Sequence, residues 1–321
     1  VTISHRGFIK RFPVSGYRRQ GRGGKGVTGA GTKDEDFIEH MFIASTHQYI
    51  MFFTDKGKVY WLKVHEIPES GRTARGRSIL NLLQKDRDEE ITAFIAVKEF
   101  SSDKYLVMVT EHGTIKKTVL SAYSNVRKGG IQAINLIEGD RLIEVKQTDG
   151  NSDIVIGTSN GMAIRFHETD VREMGRTATG VRGIRLSQGD AVIGCIVVHS
   201  GSTLLVVTNK GFGKRSKLDD YRITKRGGKG IITVKTGEKN GKMIAMLEVS
   251  EKDELVIITE MGMVIRQGIK AIRVMGRNTQ GVRVIRMKDG DSIADIAKVV
   301  TEDKDTPNGD VIENEENNLL T

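Results

Sequence analysis

A chain of 321 residues with a net charge of +9, three prolines and 38% hydrophobic residues has room for two average domains or one large all-β domain. Its single cysteine, Cys195, excludes an intrachain disulfide, and no apolar run approaches the roughly 20 residues of a membrane-spanning helix. From Glu302 to Glu316 seven acids stand against Lys304, a net of −6, which leaves about +15 on the residues before them, as expected of a phosphate-backbone binder.

Val1 rather than Met opens the chain, as in a fragment or after processing of the N-terminus. A short apolar run, then Ser or Thr, two variable residues and Gly then recurs six times: Ser4…Gly7, Thr54…Gly57, Thr110…Gly113, Thr158…Gly161, Thr208…Gly211 and Thr259…Gly262. A period of about 50 residues marks a repeat architecture. Each unit predicts a β-hairpin whose turn ends on a glycine with positive φ. Runs such as Leu106-Val107-Met108-Val109 and Leu255-Val256-Ile257-Ile258 suit the flanking strands. Four residues past the turn glycine stands a basic residue (Arg11, Lys117, Arg165, Arg215, Arg266), replaced in repeat 2 by Trp61.

Further along each repeat the glycines fall into two alternating classes. Repeats 1, 3 and 5 carry a basic-Gly-Gly unit whose glycines begin at Gly23, Gly129 and Gly227. Repeats 2, 4 and 6 carry Gly71-Arg72, Gly175-Arg176 and Gly276-Arg277, with further glycines at Gly76, Gly180 and Gly281. Every repeat therefore predicts one hairpin followed by one basic, glycine-rich loop. The densest is Gln20-Gly21-Arg22-Gly23-Gly24-Lys25-Gly26, with a partial copy at Lys225-Arg226-Gly227-Gly228-Lys229-Gly230. Gly-Asp turns, such as Gly139-Asp140 and Gly189-Asp190, then precede another strand. In Val181-Arg182-Gly183-Ile184-Arg185 and Val282-Arg283-Val284-Ile285-Arg286 the arginines are three apart, which predicts a bulge or strand break. About four strands per repeat and almost no helical periodicity predict an all-β, propeller-like ring of six four-stranded blades over residues 1–301. Residues 302–321, acidic and poor in apolar side chains, are expected to form a disordered tail. Such a tail would either compete with a polyanion for the basic loops or merely solubilise the chain.

The chemistry on offer is binding. Gly21-x-Gly23-x-x-Gly26 lacks the following amphipathic helix of a dinucleotide site, and Lys25 and Lys229 are each followed by Gly instead of the Ser or Thr of a phosphate-binding Walker loop. The seven histidines never pair at metal-ligand spacing, and no nucleophile elbow or carboxylate pair stands out. Neither a catalytic residue nor a metal or cofactor site is expected. Aromatic residues make up 5%, too few for single-strand stacking platforms; Tyr17 and Tyr221, beside the two densest loops, are expected to pack and are the candidates for ligand contact. Duplex DNA held by its backbone is the remaining ligand. The candidate contacts are Arg18, Arg19 and Gln20 to Gly26 in repeat 1, and Arg72, Arg75 and Arg77 in repeat 2. Repeat 3 offers Arg127 and Lys128, repeat 4 Arg176 and Arg182, repeat 5 Lys225, Arg226 and Lys229, and repeat 6 Arg277 and Arg283. The ordinary alternative for each loop is a tight connection whose arginine stays solvated.

With these residues in view, residues 1 to about 300 resemble the C-terminal domain of the bacterial DNA gyrase A protein, whose signature GyrA box reads Q-R-R-G-G-K-G. Gln20 to Gly26 matches six of the seven positions; Gly21 stands where the box has arginine, with Arg18 and Arg19 just upstream. The repeat 5 copy keeps Lys225 and Arg226 but lacks the Gln. The resemblance implies a β-pinwheel, in which neighbouring blades exchange strands, and places the working box in the first blade. It implies that duplex DNA wraps with a fixed hand so that the whole enzyme introduces negative supercoils. It also implies partners, the rest of the gyrase A protein and the gyrase B protein in an A2B2 enzyme, with a monomeric isolated domain, a cytoplasmic, nucleoid-associated setting and no membrane. ATP, Mg and the cleavage tyrosine would belong to parts outside this chain. The alternatives are the corresponding domain of topoisomerase IV, whose box is usually degraded, and a chromatin-associated propeller with a protein partner and no need of a basic edge.

Overall fold

The computed structural model describes residues 1–13, 36, 38–41, 44–71, 74–86, 88–125, 127–261 and 263–299. The box Gln20 to Gly26, together with Tyr17, Arg18, Arg19, Arg72 and the tail 302–321, lies outside them. The described chain is built of β-strands joined by turns and single-turn 3₁₀ helices.

Each repeat begins with the predicted hairpin. In blade 3, Tyr105–Thr110 pairs with Thr114–Val119 around Gly113. The repeated Ser or Thr has a physical reason: its hydroxyl accepts from the N–H after the turn glycine, as Thr110 Oγ1 does from Thr114 (3.2 Å) and Ser4 Oγ from Phe8 (3.1 Å). Gly113 adopts φ +86°, and a Cβ there would stand 2.9 Å from the carbonyl oxygen of Ile184 in the next repeat. Glycine is thus required for both conformation and space.

The strands form five four-stranded sheets and, among the described residues, one three-stranded sheet. A repeat supplies three strands of its own blade and gives a fourth, two residues long, to the blade before it. Arg77–Ser78 joins blade 1, Ile131–Gln132 blade 2, Val181–Arg182 blade 3, Ile231–Ile232 blade 4 and Val282–Arg283 blade 5. This exchange makes the ring a β-pinwheel. The predicted strand break appears after Arg182, where Gly183 leaves the ladder and donates to the Gly113 carbonyl (2.8 Å).

The inner strands Ile91–Val97, Leu142–Thr148, Val192–Val197, Met243–Val249 and Ile293–Val299 lie side by side in that order, and Ile293–Val299 meets Ile38–Met41 of blade 1 to close the ring. The donated strands therefore occupy the outer edge. Both faces of a blade are covered, which explains apolar runs without alternation. Leu106 and Met108 pack towards blade 2, whereas Val107 and Val109 pack towards blade 4. Leu204 and Val206 against Leu205 and Val207 repeat the division in blade 5. Cys195 is one of these buried packing residues (2% exposed), and burial pushes its thiol pKa up.

Candidate nucleic-acid interface

Every described basic loop lies between the single-turn 3₁₀ helix of its repeat and the strand donated to the preceding blade. Its position at the outer edge follows from this connectivity, since the loop must reach the outermost strand of a neighbour. The loops of repeats 4 to 6 are also hydrogen-bonded to the residues that follow the donated strand of the preceding repeat. Asn135 N–H donates to Ala178 O (3.3 Å), Gly227 to Gly183 O (2.6 Å), Arg185 to Gly228 O (2.8 Å) and Lys235 to Thr279 O (2.9 Å). Through these bonds the outer edges of repeats 3 to 6, which carry the loops, form one continuous band.

Within this band the candidate residues differ. Arg77, Arg182 and Arg283 sit in donated strands and are exposed. Arg75 lies over the Phe8 ring at 3.9 Å and Arg283 over the Phe212 ring at 5.5 Å. Arg127 and Lys128 occupy a turn closed by Gly130 N–H to Arg127 O (3.0 Å), and both are exposed. Arg226 is half-buried, its Nε donating to Asp170 O (2.8 Å) and its Nη1 to Arg182 O (3.0 Å). Arg277 is half-buried too, with Nη1 donating to Ile232 O (3.2 Å), and Arg176 is equally half-buried. Lys225 pairs with Asp170 at 2.8 Å but stays 90% exposed, a geometry worth little in water.

The repeat 5 loop encloses a cavity of about 170 Å³ against Ala163–Arg165 of blade 4, lined by Arg222, Lys225 and Lys229. All three are exposed. Arg222 and its counterpart Arg172 were missed in the sequence. Each follows the buried residue that ends a 3₁₀ helix, Tyr221 and Val171, and that register was the available signal. Tyr221 itself packs, 1% exposed, with its hydroxyl 2.5 Å from Thr233 Oγ1.

The basic residue four places past the turn glycine is a fastener in repeats 1, 3, 4 and 5, whereas Arg266 of repeat 6 is exposed and pairs with Glu254 of its own blade. Arg11 Nε donates to Ile67 O (2.8 Å), Lys117 Nζ to Glu168 O (3.0 Å), Arg165 Nη1 to Leu218 O (2.7 Å) and Arg215 Nε to Ile272 O (2.8 Å). Each bond ties one repeat to the 3₁₀ helix of the next. The aspartate of the Gly-Asp turns has a similar duty. Asp140 accepts from Thr110 Oγ1 (2.6 Å) and His112 N–H (2.9 Å), clamping the hairpin turn. Among the described residues no group of three or more His, Cys, Asp or Glu is placed to hold a metal ion.

Ring, exchanged strands and basic outer loops together define a β-pinwheel domain. The family profile described as "DNA gyrase C-terminal domain, beta-propeller" matches residues 1–45, 48–98, 104–149, 152–199, 202–250 and 253–299, one segment per repeat. The chain belongs to this family. It is 44% identical over 313 residues to the DNA gyrase A protein of Staphylococcus aureus (strain NCTC 8325 / PS 47), and 45% identical to that of strain MRSA252. The match covers 97% of this chain and 35% of each relative, so the chain spans about a third of their length. Among solved structures, the C-terminal domain of DNA topoisomerase IV superposes with a TM-score of 0.83 at 28% identity, covering 94% of this chain and 93% of that one. A DNA gyrase A C-terminal domain superposes with a TM-score of 0.70 at 26% identity, covering 93% and 98%.

Proposed function

We propose that the domain binds duplex DNA without sequence specificity, bends it and wraps it with a fixed hand around the basic edge, so that a DNA gyrase can introduce negative supercoils. The observation that carries this reading is the continuous band of basic loops in consecutive repeats. Bending about 40 bp through half a circle costs on the order of 10 kcal/mol for a persistence length near 150 bp. Ordinary non-specific binding yields roughly 5–8 kcal/mol at physiological salt. A single basic patch holds DNA without bending it, whereas contacts spaced round a ring can offset the elastic cost. Arg22 and Lys25 of the box would close the wrap while the other loops supply most of the affinity.

In this reading the domain is non-catalytic and needs no cofactor. ATP, Mg and the cleavage tyrosine serve other parts of an A2B2 enzyme made with the gyrase B protein, in the cytoplasm. The structural likeness to topoisomerase IV favours a second reading, that of its C-terminal domain. The identity to the DNA gyrase A protein and the near-complete box favour gyrase. The test is energy transfer between dyes on the two ends of a duplex of about 40 bp. Wrapping brings the ends together on saturation with the domain; saturable binding with the ends still apart overturns the reading.

A further inference from the structure

Three lysines stand three residues past the turn glycines of the odd repeats, and all are withdrawn from solvent: Lys10 is 2% exposed, Lys116 and Lys214 0%. The even repeats carry Tyr60, Ile164 and Ile265 at this position. Among the described residues neither Lys116 nor Lys214 forms an ion pair. Each of the three ammonium groups crosses to the Gly-Arg turn of the following repeat. Lys10 Nζ donates to Gly71 O (3.2 Å) and Ala74 O (2.8 Å). Lys116 Nζ donates to Arg176 O and to Ala133 O (2.6 Å). Lys214 Nζ donates to Gly276 O (2.7 Å) and Arg277 O. The same arrangement arises three times from one sequence pattern.

In a trans peptide the C=O points opposite to the N–H of the next residue. A carbonyl drawn inwards to a buried ammonium therefore turns the following N–H outwards. In the Gly-Arg turns, among the described residues, those N–H groups belong to Arg75, Thr177, Arg277 and Asn278, and none of them donates to another group of the described protein, whereas the N–H after Ala133, that of Ile134, is held by Gly57 O (3.2 Å). The geometry points to Lys10, Lys116 and Lys214 as positioning residues that lock the Gly-Arg turns with carbonyls in and N–H groups out, so that a DNA phosphate meets main-chain donors beside the arginine. This inference rests on the reading of the outer band as a duplex-binding surface. An ammonium suits the task because it offers three donors and no acceptor, whereas the odd loops, held over Tyr60 or Ile164, make their contacts through exposed side chains.

Burial, followed by the charge of Arg176, lowers the Lys116 pKa to about 7. Burial and then Arg277 lower that of Lys214 to about 8, with Asp220 opposing. A phosphate arriving at either turn favours the charged amine, so binding above neutral pH takes up protons.

The experiment follows backbone amide resonances of the whole chain as a short duplex is added, and measures duplex affinity at two pH values. The Thr177, Arg277 and Asn278 amide protons are expected to shift downfield. Wild-type affinity is expected to fall about threefold from about pH 6.5 to about pH 8.5. The Lys116→Met, Lys214→Met double variant is expected to bind about tenfold more weakly and to lose that pH dependence. Saturable duplex binding that leaves these three amides unmoved overturns the inference while sparing the DNA-binding reading. Absence of any duplex binding by the wild type overturns both. Should the double variant fail to fold, the wild-type amide shifts decide alone.

Discussion

The guanidinium of Arg226 donates to the main-chain carbonyl of Arg182, 3.0 Å away, in the strand that repeat 4 gives to blade 3. Two arginines that read alike in the sequence thus have different duties. Arg182 exposes its charge, while half-buried Arg226 fastens the loop of repeat 5 to the edge of repeat 4. The outer band is a set of loops that hold one another, with free cations between the fasteners.

Arg226→Lys is therefore expected to lower stability by about 1–2 kcal/mol, since a lysine cannot span two carbonyls with a planar fork. Lys229→Ala, at an exposed cation, should leave stability within about 0.5 kcal/mol. It should instead reduce the slope of log affinity against log salt by about one. Thermal melting and duplex titrations over a salt series separate the two effects. The opposite pattern would contradict the assignment.

Replacing Arg22 and Lys25 together with Ala should abolish the approach of the duplex ends while lowering affinity less than about threefold. Energy transfer and anisotropy on the same labelled duplex report both quantities. A collapse of binding, or no change in either, would refute the division of labour between box and band.

Gly113→Ala places a Cβ 2.9 Å from Ile184 O at φ +86° and should cost about 2–4 kcal/mol. Gly189→Ala, at φ +70° with nothing within 4 Å, should cost only about 1 kcal/mol. Trp61, the single tryptophan, is buried between blades 2 and 3 and reports both by fluorescence in denaturant. Equal costs would show that the close approach of repeat 4 does not matter.

Lys116 and Lys214 bind their protons less tightly in the folded chain, at about 7 and 8, than at the ordinary 10.5. Between these values the unfolded chain holds more protons, so stability rises with pH, by up to about 1.4 kcal/mol per pH unit for each lysine. Below about pH 7 both states are protonated and the contribution levels off. Denaturant unfolding at about pH 7 and about pH 9 should show the gain, and Lys116→Met should shrink it. An unchanged pH slope in that variant would mean that Lys116 does not titrate in this range.

Hairpins, loops and blade count were legible because a turn needs particular residues at particular spacings, and six repetitions of Ser or Thr to Gly supplied them. The Lys-to-Gly-Arg partnership was not legible, because Lys116 and Arg176 are sixty residues apart in the chain and only the ring makes them neighbours. The same holds for the Asp140 clamp: the Gly-Asp pair announced a turn, but nothing local revealed that its carboxylate would grip the hairpin.

By itself the sequence determined the repeat, the hairpin turns, the excess of positive charge and the family likeness, since all four are local or additive properties. Only the tertiary structure decided which cations are fasteners and which face solvent. Burial depends on strands passed between blades, and Arg165, Lys214 and Arg226 are drawn onto carbonyls of chain segments that close on them only when the ring forms.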